Sequence, residues 1–188
     1  MHSLDFKVSS GGFIHWFRYL IKYFVNINYD RIFNIIDLDY KNLKNIADLI
    51  MHKINDTSPM YQMHSILGDI LCFDKITKQI KYINDVSKDF YKFNKIFNNN
   101  TDKIFITITL EFSKKKITNI AELGSKFSSI GFESNSKYIH PIFRIYDFDY
   151  NFFALVDEVH LDEDLNADFT DKLTYYDKII RILRMFLY

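Results

Sequence analysis

Carboxylates are densest between residues 157 and 171. The run Asp157-Glu158-Val159-His160-Leu161-Asp162-Glu163-Asp164-Leu165-Asn166-Ala167-Asp168 is soon followed by Asp171. An exposed strip of this kind suits a basic protein surface, such as a nuclease cleft that normally holds phosphate. Asp157, Glu158, Asp162, Glu163, Asp164 and Asp168 are therefore the candidate partner-binding residues. The same residues also fit a solvated loop leading into a helix, with Asp168 or Thr170 as N-cap and carboxylates near the positive dipole end. Asp162-x-Asp164-x-Asn166-x-Asp168 has the alternate spacing of a calcium loop. Ala167, however, stands where that loop turns on glycine, and Leu173 where it needs a bidentate glutamate, so no metal is assigned.

Histidines supply the other candidate chemistry. His64 and His140 precede strand-like runs at matching places in a repeated pattern, where a pair could bind metal or share a proton, although equivalent packing also explains the match. His160 lies among carboxylates that favour its protonated form. Asp37-x-Asp39 and Asp147-x-Asp149 resemble the metal-binding pair of glycosyltransferases, yet both close a strand and no nucleotide-binding loop accompanies them. Lys114-Lys115-Lys116 reads as a solvated turn. Cys72, flanked by Leu71 and Phe73, is the single cysteine, which excludes an intrachain disulfide and suggests a buried thiol. The sequence has no G-x-G-x-x-G, Walker loop, G-x-S-x-G, H-E-x-x-H or paired C-x-x-C, and its five glycines leave little material for a phosphate cradle. No catalytic residue and no cofactor is assigned.

The elements that must position these groups follow from periodicity. Ile104, Ile106, Ile108 and Leu110 alternate with Phe105, Thr107, Thr109 and Glu111, as a strand requires. Lys41–Ile54 and Ile117–Ile130 carry apolar residues at helical spacing. Ser65–Phe73 and Gln79–Asn84 flank a hairpin-length connection at residues 74–78, and Ile142–Phe148 and Asn151–Val159 form a second strand pair. Helices are predicted at Phe13–Val25, Val86–Phe97 and Thr170–Leu187. The first of these is amphipathic, and its basic face with Trp16 would suit a membrane surface; packing on the sheet is the preferred reading.

Residues 29–40 align with 101–112 through Asp30/Asp102, Ile32/Ile104, Phe33/Phe105, Ile36/Ile108 and Leu38/Leu110. Asn45–Leu49 recurs as Asn119–Leu123, and Tyr61–Ile66 loosely as Lys137–Ile142. The expected organisation is α+β: a leading segment and helix (1–28), then two tandem β-α-β-β-α units from an internal duplication (29–100 and 101–188). Antiparallel sheet would carry helices on one face in one globular body.

Composition bounds the rest. The chain has 188 residues, 24 basic and 24 acidic side chains and 48% hydrophobic residues. Neutrality argues against a general nucleic-acid binder and is compatible with a homodimer. The abundance of Ile, Asn, Lys, Phe and Tyr reflects A/T-rich codons, while 19 Phe and 13 Tyr leave rings available to a partner. The Phe13–Ile27 stretch carries His15, Arg18 and Lys22 and makes a poor membrane span, and no signal peptide stands out, so the expected location is the cytoplasm. These features suggest a non-enzymatic protein-binding inhibitor resembling the immunity proteins of bacterial toxin systems. Its partner would be a cognate, basic toxin, a nuclease for example, whose active site it occludes. The alternatives are a viral or mobile-element protein that scaffolds assembly or modulates a host, and a small hydrolase using His140 or His160.

Overall fold

The computed structural model describes residues 17–28, 35–56, 58–89, 102–112, 139–149, 152–161 and 175–187. The elements run α1 (Phe17–Asn28), β1 (Ile35–Asp39), α2 (Leu43–Asp56), α3 (Ser58–Gln62), β2 (Leu67–Asp74), β3 (Gln79–Ser87), β4 (Lys103–Phe112), β5 (Ile139–Asp149), β6 (Phe152–His160) and α4 (Asp177–Leu187). The strands form one six-stranded sheet in the order β1-β3-β2-β4-β5-β6, and each neighbouring pair is antiparallel. The protein is thus α+β, with β2 and β4 side by side at the centre.

The helices follow their apolar spacing. In α2, Ile46, Ala47, Ile50, Met51 and Ile54 recur at one-turn intervals and are all buried. Its start is capped by Asn42, whose Oδ1 accepts the Asn45 amide at 3.2 Å. In α4, Ile179, Ile180, Ile182, Leu183 and Leu187 are buried against the same sheet face. That face presents Leu71, Phe73, Ile80, Tyr82, Ile106, Ile108, Phe143 and Ile145. Full burial of each such aliphatic side chain contributes roughly 1.5–3 kcal/mol, so this interface is the main core.

The expectation of helices on one face only needs correction. Leu67–Phe73 is buried at every position, so β2 has two apolar faces and both must be covered. Ile70, Cys72, Ile83, Val86 and Phe105 form a second cluster on the opposite face, and Tyr23 of α1 packs against it. Cys72 is buried there as predicted, and desolvation pushes its thiol up to about 12.

The β2–β3 turn closes as the spacing implies. Asp74 Oδ1 accepts the amides of Ile76 at 2.9 Å and Thr77 at 2.8 Å, and Lys78 adopts φ 56°. β3 continues through Ser87, so no helix begins at Val86. Residues 90–97 of that predicted helix, the whole Ile117–Ile130 helix and the 170–174 start of the last helix lie outside the described residues. The five-residue helix α3 had no periodic signal. The two halves also pair differently, because β1 adjoins β3 whereas β4 adjoins β5. The described strands therefore do not confirm the duplication.

At Gly68 the β2 backbone approaches β4 too closely for a side chain. A Cβ there would meet the Ile108 carbonyl and lie 2.8 Å from Thr109 Cγ2. Gly68→Ala should therefore destabilise by about 1–3 kcal/mol, the usual cost of overpacking, read as a lower urea midpoint with unchanged slope.

Candidate functional site

Beyond the Tyr23 contact, the second face of the sheet carries polar side chains on β4, β5 and β6. On β4, the alternation that sends Ile106, Ile108 and Leu110 to the main core sends Thr107, Thr109 and Glu111 to this side. On β5, Phe143 and Ile145 point to the main core and leave His140 and Arg144 opposite. Register pairs Glu111 with His140 and Arg144 with Glu158. A bulge completes the arrangement. Ile145 faces Asp157 while Tyr146 faces Leu155, so Val156 is an extra residue on β6. Because strand faces alternate, that extra residue reverses which side the following residues take, and Glu158 and His160 arrive beside Arg144.

Arg144 is the hub. Its Nε donates to Glu158 Oε2 at 2.6 Å, its Nη2 to Glu111 Oε2 at 3.0 Å, and its Nη1 to Glu111 Oε1 at 2.5 Å and Thr109 Oγ1 at 3.2 Å. Thr109 Oγ1 donates to Glu111 Oε1 at 2.8 Å, and Lys88 Nζ lies 3.8 Å from the same oxygen. The Arg144 and Glu111 side chains are each only 10% exposed. Burial alone would raise the Glu111 carboxyl, but the Arg144 hydrogen bonds and charge, helped by Lys88 and Thr109, outweigh it and hold the group below its usual range. Glu158 behaves likewise: Arg144 and His160 overcome its desolvation and keep it ionised.

Glu158 also anchors a histidine chain. His160 Nε2 lies 2.9 Å from Glu158 Oε1, and His160 Nδ1 lies 2.9 Å from His140 Nε2. An ionised carboxylate only accepts, so His160 donates through Nε2–H, and its Nδ1 in the neutral ring accepts from His140 Nε2–H. The geometry sets both tautomers. His140 is fully buried, whereas the Glu158 side chain is 25% exposed. The chain therefore links a buried imidazole to the protein surface. A proton reaching the far nitrogen of His140 can be relayed by shifting the two N–H hydrogens in turn, ending on Glu158 with no movement of heavy atoms.

A second buried acid serves the fold. Asp69 is 1% exposed, accepts from the Tyr82 hydroxyl, and takes the Asp85 amide at 2.9 Å. This fastens a bulge in β3, where Asn84 and Asp85 lie across from Asp69 alone and Asp85 adopts φ 55°. Desolvation raises Asp69 to about 6 against the opposing pull of those hydrogen bonds.

The sequence-derived candidates fall out unevenly. Glu158 and His160 belong to the polar cluster. Asp157 lies in β6 and accepts the Glu158 amide at 2.8 Å. Asp162, Glu163, Asp164 and Asp168 lie outside the described residues, as do the calcium-like spacing and Lys114–Lys116. His140 meets His160, while the His64 ring packs edge-on against Phe112 with centroids 5.1 Å apart. Asp147 pairs with Lys75 at 2.7 Å, and Asp39 accepts the Lys41 amide at 3.0 Å. Among the described residues no group of three or more His, Cys, Asp or Glu side chains is placed to hold a metal ion, and no helix is long and apolar enough to cross a membrane. Sequence reasoning passed over Arg144, Glu111 and Thr109. The available signal was one arginine amid Ile142, Phe143 and Ile145, a charge that needs a partner wherever that strand is buried.

No family model matches the chain, and no solved structure matches it significantly. Two curated proteins do, each named FAD-dependent oxidoreductase domain-containing protein 2. The one from Danio rerio is 37% identical over 71 residues, covering 37% of this chain and 10% of that protein. The one from Mus musculus is 30% identical over 86 residues, covering 45% of this chain and 13% of that protein. The chain thus matches only about a tenth of the length of these relatives.

These matches correct the expectation of a non-enzymatic immunity protein that inhibits a toxin. Both relatives carry an oxidoreductase's name, and neither name refers to a toxin or its inhibition. The non-enzyme reading rested on missing nucleotide and nucleophile motifs. The scaffolding and hydrolase alternatives fall with it. The flavin itself does not fit the described residues. A dinucleotide site uses a glycine-rich turn from a parallel strand into a helix, whereas every described strand pair is antiparallel and Gly68 is packed inside the β2–β4 ladder.

Two outcomes test the electrostatics. Arg144→Met should cost about 3–5 kcal/mol in urea unfolding, because it leaves Glu111 buried without its main partner. Glu111 and Glu158 are depressed in the folded state, so their stabilisation is present above the ordinary value of 4.5 and lost as pH falls through the folded values. Asp69 acts with the opposite sign, and stability is lost as pH rises from 3.8 through about 6. Glu111→Gln should flatten the acid limb of the stability profile, and Asp69→Asn the limb between those two values.

Proposed function

We propose that this chain is a module of a flavin-dependent oxidoreductase system, in which it moves protons for a redox reaction whose flavin is held by a different segment or a partner chain. The observation that carries this reading is the partial match to the two FAD-dependent oxidoreductase domain-containing proteins. The polar cluster supplies a chemistry that suits it. Flavin redox steps take up and release protons as well as electrons, and they need a path between a dry reaction centre and water. The His140–His160–Glu158 chain offers such a path, and Arg144 keeps its outer end ionised so that it can receive a proton.

In this reading His140 is the inner group, His160 the carrier and Glu158 the outer acceptor. Arg144, Glu111 and Thr109 position them. All three relay groups stand on a continuous antiparallel ladder, whose hydrogen bonds hold their spacing more firmly than a loop would.

Capture of the tagged full chain from its native lysate tests the proposal. Flavin absorbance that bleaches with dithionite should be retained with the chain. His160→Gln should leave the amount of retained flavin unchanged and slow the proton-coupled turnover of the retained material. Flavin-free captures at moderate salt, from wild type and variant alike, would overturn the reading.

A further inference from the structure

Away from the relay, α2 and α4 border an open groove of about 640 Å³. Ile180 and Tyr176 form part of its wall, and the Tyr176 hydroxyl donates to the Lys44 carbonyl at 3.4 Å. The groove's charged lining residues are Lys44, Asp48, Asp177, Arg181 and Arg184. Partial desolvation and the carboxylates of Asp48 and Asp177 all raise the Tyr176 hydroxyl, so both acids lie near it. Arg181 and Arg184 follow on the same helix, and Arg184 stands about 10 Å along the axis from Asp177 at 1.5 Å per residue. Neither arginine makes an ion pair with another described residue. An exposed arginine fork without a carboxylate partner is suited to a phosphate.

We infer that this groove binds a sugar phosphate, its phosphate on Arg181 and Arg184 and its hydroxyls on Asp48, Asp177 and the Tyr176 hydroxyl. The volume lies within the range of small-molecule sites. Carboxylates accept hydroxyl donors well and repel phosphate, which directs the phosphate to the two arginines. Ile180 gives the sugar's carbon face a surface to lie on. The site is separate from the relay, and its fate does not depend on the redox reading.

Calorimetric titration with ribose 5-phosphate tests it, with inorganic phosphate and ribose as controls that each carry one half of the recognised chemistry. Ribose 5-phosphate should saturate one site and bind at least about tenfold more tightly than either control, a difference of about 1.4 kcal/mol. The Arg181→Gln/Arg184→Gln double variant should lose about tenfold or more. Asp48→Asn should erase the advantage of ribose 5-phosphate over phosphate while phosphate binding persists. All these side chains are solvent-exposed, and an unchanged melting temperature will show that the variants remain folded. No saturation by ribose 5-phosphate, equal affinity for it and for phosphate, or indifference to the arginine variant would each overturn the inference.

Discussion

One buried guanidinium organises the second face of the sheet. Arg144 cannot lose its proton, so the structure around it must supply anions, and β4 and β6 each contribute one. Replaced by apolar residues of similar volume, such a cluster would often be no less stable. Its presence therefore points to specificity or chemistry more than to bulk stability. β4 and the β5–β6 pair must keep one register for the four hydrogen bonds of the Arg144 side chain to form. A slip of one residue on any of them would turn Glu111, Glu158 or His160 to the wrong face.

The same constraint explains the histidine chain. Glu158 divides its two oxygens between Arg144 and His160, and only an ionised Glu158 can serve both. Its charge state sets the His160 tautomer, and that tautomer sets the donor on His140. The proton path is thus a consequence of the ion cluster, and a buried His140 is joined to water without a channel.

Much of the scaffold was legible in the residues. Period-two alternation placed β4, and the Asp74–Lys78 connection announced the β2–β3 hairpin. One-turn spacing located α2 and α4 to within a few residues at the described ends. The cluster was legible only in part. His140 and His160 were noticed singly, because sequence separation hides a pairing created by strand register. The decisive feature, the extra residue at Val156, leaves no periodic trace in a strand whose outer positions are mixed. Of the candidate acidic residues, only Asp157 and Glu158 lie among the described residues. Seen as a line of like charges, the acidic run suggested a strip facing a partner, yet Glu158 turns inward to a cation that lies outside the run. The apparent duplication also rested on local patterns, and those do not determine which strands become neighbours.

The central claim, that Arg144, Glu158 and the two histidines act as one directed hydrogen-bond chain, can be tested most directly by nitrogen-15 NMR of the imidazoles at alkaline pH. The account predicts that His140 and His160 are both Nε2–H tautomers, with a scalar coupling between His140 Nε2 and His160 Nδ1 across their shared hydrogen. It also predicts that Glu158→Gln removes the tautomer preference of His160. Averaged tautomers in the unsubstituted protein, or an Nδ1–H form of His160 with no coupling, would contradict it.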